Sequence, residues 1–120
     1  MVNKQDYINS VTQNIDMVRG DTLLFNFQLG GLGGLDPETI VFSCAESYDE
    51  DTIFTSDLTD GITQDDYDTE TNIATYSVRV APDKTHGLEL GRYYYDLQAT
   101  IGDDVVTLMR GRLTLLYEVT

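Results

Sequence analysis

The sequence predicts an all-β domain, a sandwich of about seven or eight antiparallel strands, and three observations carry that expectation. Apolar residues recur at every second position in one segment after another, the period of a half-buried strand. Clusters of Gly, Asp, Asn and Pro break the chain at short intervals, and no long stretch carries a convincing helical period. The third observation is Gly91-Arg92-Tyr93-Tyr94-Tyr95-Asp96-Leu97-Gln98. It puts Tyr93 where immunoglobulin-like sandwiches place a corner tyrosine and Tyr95 where antibody domains place a cysteine. The expected fold class is therefore an immunoglobulin-like β-sandwich, with Gly91, Tyr93 and Tyr95 as its structural markers.

Taken in order, residues 1–13 are polar, with isolated Val2, Tyr7, Ile8 and Val11, and read as a flexible N-terminal arm; residues 14–120 read as the sandwich. Ile15 and Met17 alternate with polar neighbours, and a turn at Gly20-Asp21 leads into residues 22–29, where Leu23, Phe25, Phe27 and Leu29 share a face. These two segments are expected to pair or lie near each other. Gly30-Gly31-Leu32-Gly33-Gly34-Leu35-Asp36-Pro37 is a turn-rich break. The next strand, residues 39–45, turns Ile40, Phe42 and Cys44 inward. A short apolar island, Thr52-Ile53-Phe54-Thr55, then stands between Asp-rich turns.

Residues 72–81 alternate well, with Ala74, Tyr76, Val78 and Val80 inward, until Pro82 stops the strand. Residues 82–87 read as a helical or turn-like crossover. Tyr93, Tyr95, Leu97, Ala99 and Ile101 form the clearest inward row of the chain. A tight turn around Gly102-Asp103-Asp104 reverses direction into residues 105–119, where Leu113, Leu115, Tyr117 and Val119 alternate. Met109-Arg110-Gly111-Arg112 breaks that phase, and Gly111 points to a bulge or bend.

At 120 residues the chain is the size of one ordinary domain, and its 41% hydrophobic and 23% charged residues are those of a globular protein. No run approaches the ~18 apolar residues of a membrane helix, and Met1-Val2-Asn3-Lys4-Gln5-Asp6 lacks the apolar core of a signal peptide, so synthesis in a cytoplasm is expected. The single cysteine, Cys44, excludes an internal disulfide and zinc-finger spacing. Against 21 carboxylates stand 7 Lys and Arg, a net charge of −14 that works against binding nucleic acid or an anionic membrane. The layout is uneven: no Lys or Arg lies between Arg19 and Arg79, and ten acids fall between Glu46 and Glu70. This middle stretch reads as surface.

Nucleophilic catalysis needs a nucleophile, a base and an orienting group. The only histidine, His86, lies in the expected crossover, and Cys44 reads as a buried structural thiol. Carboxylate pairs such as Asp49-Glu50-Asp51 and Asp65-Asp66 are abundant, but acid–base work needs contrasting environments and these segments read as wholly exposed. No catalytic residue and no cofactor are expected, and the chain is not expected to be an enzyme. Hard oxygen ligands for calcium are densest at Asp57, Asp60, Asp65, Asp66 and Asp68, which stand as weak candidates for a loop site. An EF-hand register on Gly61 fails, because it puts Ser56 at the first ligand position and Tyr67 at the twelfth, where a Glu belongs. The glycines at 30, 31, 33 and 34 fit no phosphate-loop spacing, and Arg19-Gly20-Asp21 reads as a turn. Tyr48, Tyr67 and Tyr94 are candidates for exposed aromatics.

Three pieces of the chain carry a family resemblance. They are Val18-Arg19-Gly20-Asp21-Thr22 ahead of an alternating strand, Leu90-Gly91-Arg92-Tyr93-Tyr94-Tyr95-Asp96-Leu97-Gln98, and Val106-Thr107-Leu108-Met109-Arg110-Gly111-Arg112-Leu113-Thr114-Leu115 through Val119-Thr120. Together they resemble small immunoglobulin-like structural proteins of tailed bacteriophages and their prophages. The first two are also similar to the N-terminal domain of phage baseplate upper proteins. Those proteins continue well past this domain whereas this chain stops just after it, so the expectation is a free-standing virion module, a head decoration protein or a tail, baseplate or fibre adaptor. The resemblance implies synthesis in the host bacterial cytoplasm, residence in the virion, and assembly with other virion proteins of capsid, tail or fibre. It also implies an oligomeric state in the particle, and no nucleic-acid or membrane partner. The strands near residues 12–19 and the last strand are the expected contacts, with the arm ordering on a neighbour. The alternative is a calcium-dependent carbohydrate- or receptor-binding module.

Overall fold

The computed structural model describes residues 11–30 and 36–117. These residues form β1 (Val11–Thr12), β2 (Ile15–Val18), β3 (Leu23–Leu29), β4 (Thr39–Ala45), β5 (Thr52–Asp57), β6 (Ile62–Asp68), β7 (Ile73–Val80), a one-turn helix α1 (Asp83–His86), β8 (Gly91–Ile101) and β9 (Asp104–Leu116). One sheet runs β9-β8-β4-β5, and β1 and β2 both add to the free side of β9, parallel to it. The other sheet is β3-β7-β6, antiparallel throughout. That division of strands between two facing sheets is the topology of an immunoglobulin-like sandwich, the fold class the sequence predicts.

The inward rows fall where period-two alternation puts them. Ile40, Phe42 and Cys44 on β4, Ala74, Tyr76, Val78 and Val80 on β7, Tyr93 to Ile101 at every second position on β8, and Leu113 and Leu115 on β9 are all buried. Phe42 stands at the centre. Its ring lies 5.8 Å from Phe25 of the opposite sheet, 5.2 Å from Tyr95 and 6.4 Å from Phe54. Cys44 is free, so the Phe25–Phe42 contact, rather than a disulfide, clamps sheet to sheet, and Tyr95 and Phe54 hold the Phe42 ring from within its own sheet.

Of the two arrangements expected for β2 and β3, the structure has the second: they lie near each other and line one recess but do not pair, because the chain turns at Gly20 and passes to the other sheet. Arg19 Nη1 donates to the Leu88 carbonyl at 3.0 Å and the Gly20 N–H to the buried Thr85 hydroxyl at 3.0 Å, which fix the crossing against α1 and the loop after it. Within the acidic stretch, where the sequence marks turns around the apolar island, residues 62–68 form a further strand, β6. As an edge strand it buries only Ile62, and so lacks the alternation that marks a strand in sequence. The expected inward Tyr117 lies past the end of β9 and is 71% exposed.

The phase break in β9 is a bulge at Leu108, between the partners of Leu97 and Gln98, and not at Gly111. Gly111 has a different reason to be glycine. A Cβ there would stand 2.1 Å from the Gln13 carbonyl oxygen, so the close approach of β1 to β9 requires its absence. The expected arm lies outside the described residues as far as residue 10. Val11 and Thr12 pair with Met109 and Arg110, and the Gln13 N–H donates to the Arg110 carbonyl at 2.9 Å. Gly31, Gly33, Gly34 and Val119 also lie outside the described residues.

Candidate functional site

The framework of the site is the β8–β9 hairpin, the most extensive pairing in the fold, which runs from Gly91 opposite Leu115 to Ile101 opposite Asp104. Gly91 opens β8 at φ +133°, a conformation L side chains rarely adopt. Two residues on, the Tyr93 ring is buried and its hydroxyl donates to the Glu89 carbonyl at 2.7 Å, the geometry of a tyrosine corner. Tyr95 reaches further: its hydroxyl donates to the Gln13 carbonyl at 2.6 Å, pinning the incoming chain beside Gly111. Burial pushes the Tyr95 phenol up to about 12.

Because Tyr93 and Tyr95 point inward, Arg92, Tyr94 and Asp96 point outward. Their partners on β9 are Thr114, Arg112 and Arg110 respectively, so three of the chain's 7 basic residues share one outer sheet face with a tyrosine. Tyr48, from the turn between β4 and β5, folds over this face. Its hydroxyl donates to the Gly111 carbonyl at 3.0 Å, its ring centroid lies 5.0 Å from that of Tyr94, and the Arg110 guanidinium carbon stands 4.6 Å from it, a cation–π contact. Asp96 is half-buried in the same face. Burial raises its carboxyl above the usual range, and the nearby Arg110 offsets part of that rise. Among the described residues neither Arg92 nor Arg112 has a carboxylate within ion-pair distance. The result is an open face with a fixed aromatic–arginine centre flanked by two further guanidinium groups.

Sequence reasoning picked out Tyr48 and Tyr94 as exposed aromatics but did not join them to the arginines. A signal was present. Arg110 and Arg112 are two apart on a strand, which puts them on one side, and so are Arg92 and Tyr94. What sequence could not supply is the β8–β9 register that sets the two rows side by side.

The calcium candidates are scattered. Asp57 Oδ1 accepts from the Thr59 N–H, the Thr59 hydroxyl and the Asp60 N–H, and the Thr59 hydroxyl bond leads the causes that lower its carboxyl. Asp60 pairs with Lys84 Nζ at 3.2 Å, and Asp65 accepts from the Ser77 hydroxyl. Asp66 is exposed on β6, and Asp68 accepts from the N–H groups of Glu70 and Thr71 in the turn to β7. Among the described residues no group of three or more His, Cys, Asp or Glu converges to hold a metal. Cys44 is buried, which pushes its thiol up to about 12, and His86 is exposed at the end of α1. A recess of about 330 Å³ opens between β2 and β3, lined by Gln13, Asn14, Ile15, Leu23, Phe25 and Met109, with Asp16 as the one titratable group in its wall among the described residues. It brings no pair of acid–base groups together. Among the described residues no helix is long and apolar enough to cross a membrane.

Fold and site together define an immunoglobulin-like β-sandwich that presents an open tyrosine- and arginine-bearing sheet face. No protein-family model matches the chain, and no curated protein matches it. Among solved structures it is similar to part of a family 123 glycoside hydrolase from Clostridium perfringens, with a TM-score of 0.54 and 13% identity over 91% of this chain. This chain spans only 23% of that enzyme's length, so the likeness is one of fold. Murine CRIg aligns over 94% of this chain and 95% of its own, at 13% identity and a TM-score of 0.37.

Proposed function

We propose that this chain is a non-enzymatic structural component of a tailed-phage virion, a head decoration protein or a tail, baseplate or fibre adaptor, that works by assembly with other virion proteins. The observation that supports this best is the character of its candidate site. An open sheet face centred on Tyr48, Tyr94 and Arg110 carries the residue types concentrated at the energetic centres of protein–protein interfaces. The resemblance adds the particle. Its Val18–Thr22 piece forms the crossing turn, its Leu90–Gln98 piece the corner strand, and residues 106–115 of its third piece lie in β9, so these matching residues help to build the sandwich and this face. The calcium-dependent receptor module gains no comparable support, since Arg110 covers the Tyr48 ring and Asp57 is engaged in its own turn.

Particles purified from a lysate that expresses this protein, analysed by mass spectrometry and imaging, are the test. The expected result is the chain in regular, symmetry-related copies on the particle. Its absence from purified particles overturns the proposal.

A further inference from the structure

The two outer faces of the sandwich are unlike in charge. On β6 the register shifts by one residue at Asp65, which leaves Asp65 beside Ser77, Asp66 opposite Thr75 and Asp68 opposite Ile73. Ser77, Thr75 and Ile73 are the outward positions of β7, so the bulge turns all three aspartates to the same outer side. Thr63 to Asp68 are exposed without interruption. On the opposite side of the sandwich stand Arg92, Arg110 and Arg112 around Tyr48 and Tyr94.

We propose that the outer β8–β9 face of one copy docks on the outer β6–β7 face of a second copy of this chain, with Arg92, Arg110 and Arg112 meeting Asp65, Asp66 and Asp68. This deepens the assembly role and rests on it. Arginine forks match carboxylates in pairs, and the two tyrosines supply rigid contact area between them. The net charge of −14 on each copy opposes association at long range. At physiological ionic strength, however, that repulsion is screened beyond about 8 Å while contact pairs are not. The contact is small: β8 and β9 together, eleven residues long on β8, present on the order of 350 Å², below the ~800 Å² per partner of a standard interface, so a single contact is of the weak class and gains strength by repetition between copies. Because the two faces lie on opposite sides of one molecule, the contact is head-to-tail, and copies link into a closed ring or an open row rather than stopping at a symmetric dimer. Arg79 and Lys84 stand at one end of the acidic face, Lys84 already paired with Asp60, and they bound the contact at that end.

Sedimentation equilibrium of the whole chain, with native mass spectrometry, tests this. The wild type is expected to associate below about 1 mM. Arg112→Glu and Asp66→Arg, both at exposed positions, should each weaken association at least ~10-fold. An equimolar mixture of the two should restore association that neither shows alone, in alternating copies, because the intact acidic face of the first variant meets the intact basic face of the second and the reversed charges face each other at the next contact. Asp103→Arg, in the turn between β8 and β9, changes net charge as Asp66→Arg does and should leave association at the wild-type level. Arg92→Glu with Asp68→Arg gives a second pair should either first variant fail to fold by circular dichroism. A wild type that stays monomeric, variants that associate undiminished, or a mixture no better than its components overturns the contact. A monomer that is nevertheless found on particles removes this contact alone and leaves the assembly role standing.

Discussion

Buried hydroxyls and a buried thiol dominate the residue scale, and each has a measurable consequence. Tyr93 and Tyr95 each donate to a backbone carbonyl, of Glu89 and Gln13. Tyr93→Phe removes one such bond at the rim and is expected to cost about 0.5–1.5 kcal/mol in urea melts, whereas Tyr95→Phe, at a ring 1% exposed, should cost at least as much because the Gln13 carbonyl loses its donor. The same burial sets the alkaline limit. The Cys44 thiol is raised from 9.0 to about 12 and the Tyr95 phenol from 10.0 to about 12. For an acid whose folded pKa is raised, the unfolded chain releases its proton first. Stability is therefore full below pH 9 and falls as pH rises through the window from 9 to 12. Cys44→Ala is expected to move the onset of this fall from near pH 9 to near pH 10, read as melting temperature against pH. Wild-type Cys44 should also resist alkylation at pH 8 until the fold is opened.

At the scale of elements, alternation in sequence names the face a residue takes but not the strand it lies beside. The inward rows of β4, β7 and β8 were legible for that reason, since each has period two along its whole length. The partnership of β2 with β9 was not, because Ile15 and Met17 can face the core from either sheet, and only the crossing held by Arg19 and Thr85 decides which. β6 was invisible because an edge strand with one buried residue has no alternation to show. Gly111 was noticed for the wrong reason. Its glycine makes room for the Gln13 carbonyl, so Gly111→Ala must push β1 away from β9 or shift β9 itself. The expected cost is about 2 kcal/mol or more. Amide exchange should report it as faster opening at Gln13 and Arg112, whose backbone groups bond across this junction, with β4 and β7 little changed.

On the scale of the whole molecule, two sheets without a disulfide and with a net charge of −14 must be held by packing. The candidate face shares in this dependence. Its arginines and tyrosines were each visible in the sequence, but they become one surface only because β8 and β9 hold their register against a core clamped by Phe42. Phe42 is fully buried and is the ring that touches both Phe25 of the opposite sheet and Tyr95 beneath the face. Phe42→Ala is therefore expected to cost about 3–5 kcal/mol, the range for emptying a large core position. Against the ~5–15 kcal/mol by which domains are stable, that is a large share of the total. Loss should also be cooperative: near-ultraviolet circular dichroism of the tyrosines and far-ultraviolet dichroism of the strands should melt together, at lower denaturant than in the wild type. Phe42→Leu, which keeps most of the volume but no ring, should fall between the two. If Phe42→Ala instead melted like the wild type, the aromatic clamp would not be what joins the sheets, and the stability of the outer face would need another source.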